Sequence, residues 1–145
     1  MEIKVIFNVD YDGEILKEVM FAQLLEEGLA QLKNSPFYVY GIAFDDIFSF
    51  EINASGSYIF DNLIQHSGNS TLRIALNDIS YQEEIFNLFN NLNCGIETNN
   101  LHSFTLLSIN IPKEALKHLD RFYSYLQKME TIGILEYEDV FIFSD

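Results

Sequence analysis

The chain has 145 residues and a mass of 16.8 kDa, enough for one good-sized domain or two small ones but not for a large multidomain enzyme. Its 22 acidic side chains against 8 basic ones give a formal charge of −14, a field that repels phosphate backbones and anionic lipid and excludes nucleic acid as the expected direct partner. With 48% hydrophobic and 14% aromatic residues the chain lies outside the range of disordered acidic tails, and a single cysteine removes the disulfide-stapled class.

Taken in chain order, Ile3, Val5, Phe7 and Val9 alternate with polar residues, the period-2 pattern of a strand with one buried face. Asp10 to Gly13 supply turn chemistry. Residues 14–34 leave two readings open. Good helix formers with Ile15, Val19, Ala22 and Leu25 on one face favour a helix, whereas Glu26-Glu27-Gly28 in mid-segment and the alternation around Phe21 favour a hairpin. Phe37 to Tyr40, Ile47 to Ile52 and Tyr58 to Gln65 are rich in aromatic and β-branched residues and read as strands. Ser67-Gly68-Asn69-Ser70 is the expected internal boundary.

Beyond it, strand and helix signals alternate. Thr71 to Leu76 reads as a strand, and Ser80-Tyr81-Gln82-Glu83 has the form of a capping box ahead of an apolar stripe at Ile85, Phe86, Leu88, Phe89 and Leu92. Strands are expected at Gly95 to Thr98 and Phe104 to Ile111, joined around Asn99-Asn100. Pro112 opens a second helix that Gly133 terminates, and a last strand runs from Ile134 to Phe143. The expected fold is α+β: a small, mostly-β, barrel-like module over residues 1–66, then a ferredoxin-like β-α-β-β-α-β module over residues 67–145, packed together as one unit.

Leu32 to Asp46, with its proline-aromatic segment Pro36-Phe37-Tyr38 and its Tyr40-Gly41-Ile42-Ala43 turn, resembles a bacterial family of uncharacterised domains. Ser67 to Arg73, Leu92-Asn93-Cys94-Gly95 and Glu136-Tyr137-Glu138 stand where that family carries similar motifs. Asp45 stands where the family tends to glycine, and the chain has no tryptophan. The resemblance covers most of the chain, implies strands over residues 14–34, and implies no reaction.

Catalytic signatures are sparse. His66, His102 and His118 are not spaced as ligand pairs with one another or with Cys94, so no metal or cofactor is expected. Cys94 could act as a nucleophile only if folding brought a base beside it, and a small residue before a glycine at a helix end explains it more simply. Adjacent carboxylates on a strand point to opposite faces, which disfavours Asp45-Asp46 or Glu138-Asp139 as an acid–base dyad, whereas Glu136 and Glu138 share a face. Lys113, Lys117 and Arg121 are spaced as a cationic stripe on the second helix, with Lys128 beyond, leaving four bases against 19 acids elsewhere.

These features suit a non-enzymatic acidic protein that masks a basic protein surface, as a bacterial immunity protein masks a nuclease-type toxin. Its candidate interface is Tyr38, Tyr40 and Tyr58 with the carboxylates Asp45, Asp46, Glu51, Glu136, Glu138 and Asp139. The alternative is a regulatory or small-molecule-binding module that uses the ferredoxin-like sheet face. The start Met1 to Val5 lacks a basic leader, and no apolar run reaches the length of a membrane span, so a soluble, cytoplasmic protein is expected.

Overall fold

A computed structural model describes residues 1–144. Strand β1 (Glu2–Tyr11) turns through Asp12 and Gly13, both at positive φ (53° and 83°), into β2 (Glu14–Leu24). This is the two-residue hairpin loop that Asp-Gly favours, because its backbone twist matches that of the flanking strands. It sets a ladder from Glu2 opposite Gln23 to Tyr11 opposite Glu14. β2 hands on to β3 (Leu29–Leu32) through the Glu26-Glu27-Gly28 turn, so residues 14–34 form a hairpin and not a helix. Helix propensity loses here because the ladder pairs ten residues of β2 with β1, while Met20 and Ala22 enter the core and Val19 and Phe21 stay outside.

β4 (Ile47–Ile52) and β5 (Tyr58–Gln65) complete a closed five-stranded barrel, with register shifts that bend the β4/β5 pair. Successive strands are antiparallel, so the fifth runs the same way as the first. The closing β1/β5 pair is therefore parallel, with Val5 opposite Tyr58. The barrel core is built on Phe7, Phe48 and Phe60, whose rings lie 4.9 to 5.5 Å apart.

The second sheet comprises β6 (Ser70–Leu76), β7 (Gly95–Asn100), β8 (Thr105–Ile111) and β9 (Leu135–Phe141) in the order β7-β8-β6-β9, every neighbour antiparallel. Helices α1 (Gln82–Asn90) and α2 (Leu119–Thr131) cover one face, where Leu72, Ile74, Leu107 and Ile109 meet Ile85, Phe89, Phe122 and Leu126. The chain is thus α+β, with one core in the barrel and one between sheet and helices.

Several local expectations are corrected. Phe37 to Tyr40 form no strand; residues 33–46 are an irregular connection with Gly41 at φ 81°. The capping box does not form, because Ser80 donates its N–H and hydroxyl to Asp78 at the start of a short 3-10 turn. Asn99 and Asn100 belong to β7, and the turn falls after them. The cationic stripe is broken because residues 113–118 are a 3-10 segment in which residues four apart no longer share a face, and the Lys113 ammonium lies 5.2 Å from the Phe143 ring centre. Gly133, at φ 80°, ends α2 as its position suggests.

Candidate functional site

Alternation along the second sheet leaves a helix-free face whose central row is polar. Glu97 stands opposite Ser108, Ser108 opposite Arg73, and Arg73 opposite Glu138, so four strands contribute one side chain each. The connection that leaves the barrel lies along this row. Asn34 donates to Glu97 at 3.0 Å and the Ser35 N–H donates to the same carboxylate. The Ser35 and Ser108 hydroxyls are 2.7 Å apart, and Ser108 donates to the Pro36 carbonyl at 2.6 Å. Arg73 donates to the Phe37 carbonyl and to the Tyr40 hydroxyl, and it pairs with Glu138. Tyr40 in turn donates to Glu138 at 3.0 Å, with the guanidinium 5.1 Å from its ring centre.

From the barrel side Glu18, a buried carboxylate on β2, accepts the N–H groups of Phe37, Tyr38 and Val39 at 2.7, 3.0 and 3.0 Å. Side chains thereby satisfy the backbone groups that a neighbouring strand would otherwise satisfy, which is why an aromatic, β-prone segment is not a strand. A second clamp sits at the end of the connection. Asp46, fully buried, accepts the N–H groups of Ala43 at 2.9 Å and Ser67 at 2.7 Å and lies 3.1 Å from His66, whose ring stacks on Phe141.

Burial raises the Glu97 carboxyl above the ordinary carboxylate range. The bonds from Ser35 and Asn34 oppose that rise and the charge of Glu18 adds to it. Burial also pushes the Cys94 thiol up to about 12, which leaves it protonated and unreactive at neutral pH and disfavours it as a nucleophile. Among the described residues no three His, Cys, Asp or Glu side chains gather as metal ligands would.

Beyond the covered row, the sheet is open. Ala75 and Leu106, ladder neighbours, floor a cleft of about 350 Å³ between Leu16 of the barrel hairpin, Tyr38, and Leu101 with Phe104 of the β7–β8 turn. Glu136, Glu138 and Arg73 complete it. Arg73 is only 11% exposed and Glu138 is 45% exposed, so the pair's acidic member faces the cleft mouth while its basic member is enclosed.

The structure thus brings four of the sequence-derived candidates together: Tyr38, Tyr40, Glu136 and Glu138. It separates the others. Asp139 accepts from Tyr123 of α2 at 2.7 Å, and burial, then that bond and the Asp139 charge, raise the phenol's pKa. Asp45 adopts φ 69° and pairs with Lys33 at 2.7 Å. Tyr58 packs inside the barrel rim with its ring 5.1 Å from that of Phe50, and Glu51 is exposed on β4 opposite Ile59. Asp46 has no surface to offer a partner, because its carboxylate holds the chain crossing between the two cores. Glu18, Glu97, Ser108 and Arg73 are absent from the candidates read off the sequence. Of these Arg73 carries a visible signal, being the one charge inside the apolar strand Thr71 to Leu76.

The family that this architecture represents is that of the Domain of unknown function DUF4265, whose model matches residues 18–137; the chain belongs to it. The chain is also similar to a crystal structure of a hypothetical protein from Neisseria gonorrhoeae, with a TM-score of 0.85 and 23% sequence identity over 99% of this chain and 98% of that one. At that identity the likeness establishes the fold alone. No curated protein matches the chain.

Proposed function

We propose that the protein is a non-enzymatic, acidic binding protein of the bacterial cytoplasm, and specifically an immunity protein that neutralises a basic, nuclease-type toxin by covering its active site. The observation that carries this proposal is the placement of the charge. Glu2, Asp10, Asp12, Glu14, Glu26, Glu27, Glu51 and Asp61 are exposed on the barrel, and Glu136, Glu138 and Asp139 are exposed on the edge strand β9, in a molecule of formal charge −14. Carboxylates displayed in this way repel nucleic acid, attract basic proteins and accelerate their encounter. Bonds from the 33–46 connection to both cores favour the two modules, 1–66 and 67–145, acting as one rigid docking body. The second module is assigned as ferredoxin-like, on the support of its element order and its all-antiparallel β7-β8-β6-β9 sheet.

The test is titration of a basic nuclease domain encoded beside this gene. The expected outcome is a tight complex, loss of nuclease activity, and affinity that falls steeply with added salt. Unimpaired nuclease activity at low salt with excess protein would overturn the proposal. The alternative of a ligand-binding sheet face takes its support from the cleft at Ala75 and Leu106. Because residues 34–40 already lie over the row Glu97-Ser108-Arg73-Glu138, the surface left for a small ligand is limited, which favours docking of a protein. No helix among the described residues is long and apolar enough to cross a membrane.

A further inference from the structure

The cleft on the helix-free face has a chemical balance that selects its occupant. Its floor and walls are apolar at Ala75, Leu106, Leu16 and Leu101, and two aromatic residues, Tyr38 and Phe104, border it. Its volume of about 350 Å³ is at the low end of the roughly 300–1,000 Å³ spanned by ligand pockets, which suits one long side chain better than a cofactor. The positive charge it contains is already neutralised, since Arg73 pairs with Glu138 and donates to the Phe37 carbonyl and the Tyr40 hydroxyl. Glu136 lies opposite Ala75 in the β6–β9 ladder, and its carboxylate has no hydrogen-bond or ion-pair partner among the described residues. The cleft therefore has a net charge of −1 from Glu136, Glu138 and Arg73.

We propose that this cleft receives a single arginine side chain presented by a protein partner, its guanidinium on Glu136 and its methylene stem against Leu16, Leu101 and Leu106. The planar guanidinium forms two parallel bonds to a carboxylate and stacks on aromatic rings, and the carbon stem buries itself on apolar surface. A lysine matches the charge but neither the fork nor the stacking. This inference rests on the proposal that the protein docks a basic partner, and it places one anchor of that interface.

The test uses the isolated full-length chain labelled with nitrogen-15, titrated with argininamide as probe. Saturable amide shifts confined to Ala75, Leu101, Leu106 and Glu136 are expected, about tenfold weaker in Glu136→Gln, where the charge is removed from an exposed site. Citrullinamide, which shares the α-amino group but carries an uncharged ureido side chain of nearly the same shape, should bind about tenfold more weakly than argininamide, and Glu83→Gln on the far side of the sheet should leave the affinity within about twofold. Shifts scattered over the acidic surface without saturation, or equal affinity for Glu136→Gln, would overturn the assignment. Toxin inhibition without argininamide binding removes the cleft and keeps the docking proposal. Argininamide seated in the cleft of a protein that inhibits no basic nuclease does the reverse.

Discussion

Glu18 is the side chain on which the connection between the two cores most depends, and its removal is a quantitative test of that role. The carboxylate is buried and accepts three consecutive backbone N–H groups, those of Phe37, Tyr38 and Val39. Glu18→Ala leaves all three without an acceptor, at about 1–3 kcal/mol for each fully buried donor. Because these residues are half-buried, solvent can reach part of the gap, and the lower end applies: about 3 kcal/mol in total, from a stability expected at roughly 5–15 kcal/mol. Glu18→Gln keeps the shape but turns an NH₂ group toward at least one backbone N–H, so a loss of about 2 kcal/mol is expected. Urea denaturation gives the total, and amide hydrogen exchange at residues 37–39 gives the local part. Both variants should lose exchange protection at those amides, alanine more than glutamine. A Glu18→Ala protein within about 0.5 kcal/mol of the parent would refute the reasoning, because that is the scatter of surface substitutions that touch nothing.

The raised carboxyl of Glu97 fixes a sign of pH dependence: the folded state holds its proton more tightly than the unfolded chain, so its contribution to stability falls as pH rises from the ordinary carboxylate range through the folded pKa. Compared with Glu97→Gln, which does not titrate, the parent should gain relative stability on acidification through that window, and a difference independent of pH in paired urea curves would contradict the assignment. Arg73→Met removes the bond to the Phe37 carbonyl and the partner of Glu138, and since Glu138 can return to solvent the expected loss is about 2 kcal/mol by thermal or urea unfolding; an unchanged midpoint would show that the guanidinium does not hold the connection. Cys94, buried and with its thiol pushed up to about 12, should resist alkylation at pH 8 in the native state and react at the rate of unfolding, so rapid stoichiometric labelling of folded protein would be the contrary result.

Elements whose stability is decided by their own side-chain pattern were legible in the sequence. Ile3, Val5 and Phe7, the run from Leu72 to Leu76, and the helical stripe of Ile85 and Phe89 each place their apolar residues on a core that any partner surface would cover. Residues 37–40 were not legible, because what holds them comes from Glu18, Arg73 and Ser108, distant in sequence, and no local pattern encodes a side chain that replaces a strand. The candidate site was half legible for the same reason. The period-2 relation of Glu136 and Glu138 placed them correctly on one face, whereas the placement of Tyr38 and Tyr40 near them follows from the docked connection and not from a shared strand.

The same distinction changes what the net charge means. Counted from composition, every carboxylate adds to a surface field, but Glu18 and Asp46 are buried and Glu97 is half-buried, and all three bind backbone N–H groups that join barrel to sheet. With those three withdrawn, most of the exposed carboxylates lie on the outer barrel and the edge strand β9, and Glu83, Glu84, Glu114, Asp120 and Glu130 are exposed on the helical side. On β9 the exposed charges also block edge-to-edge pairing with another sheet, a role that needs negative charge but no partner. Glu136 is the residue at which the two roles diverge: a charge serving only to protect the edge needs no apolar floor beside it, and this one stands at a cleft with Ala75 and Leu106 beneath it.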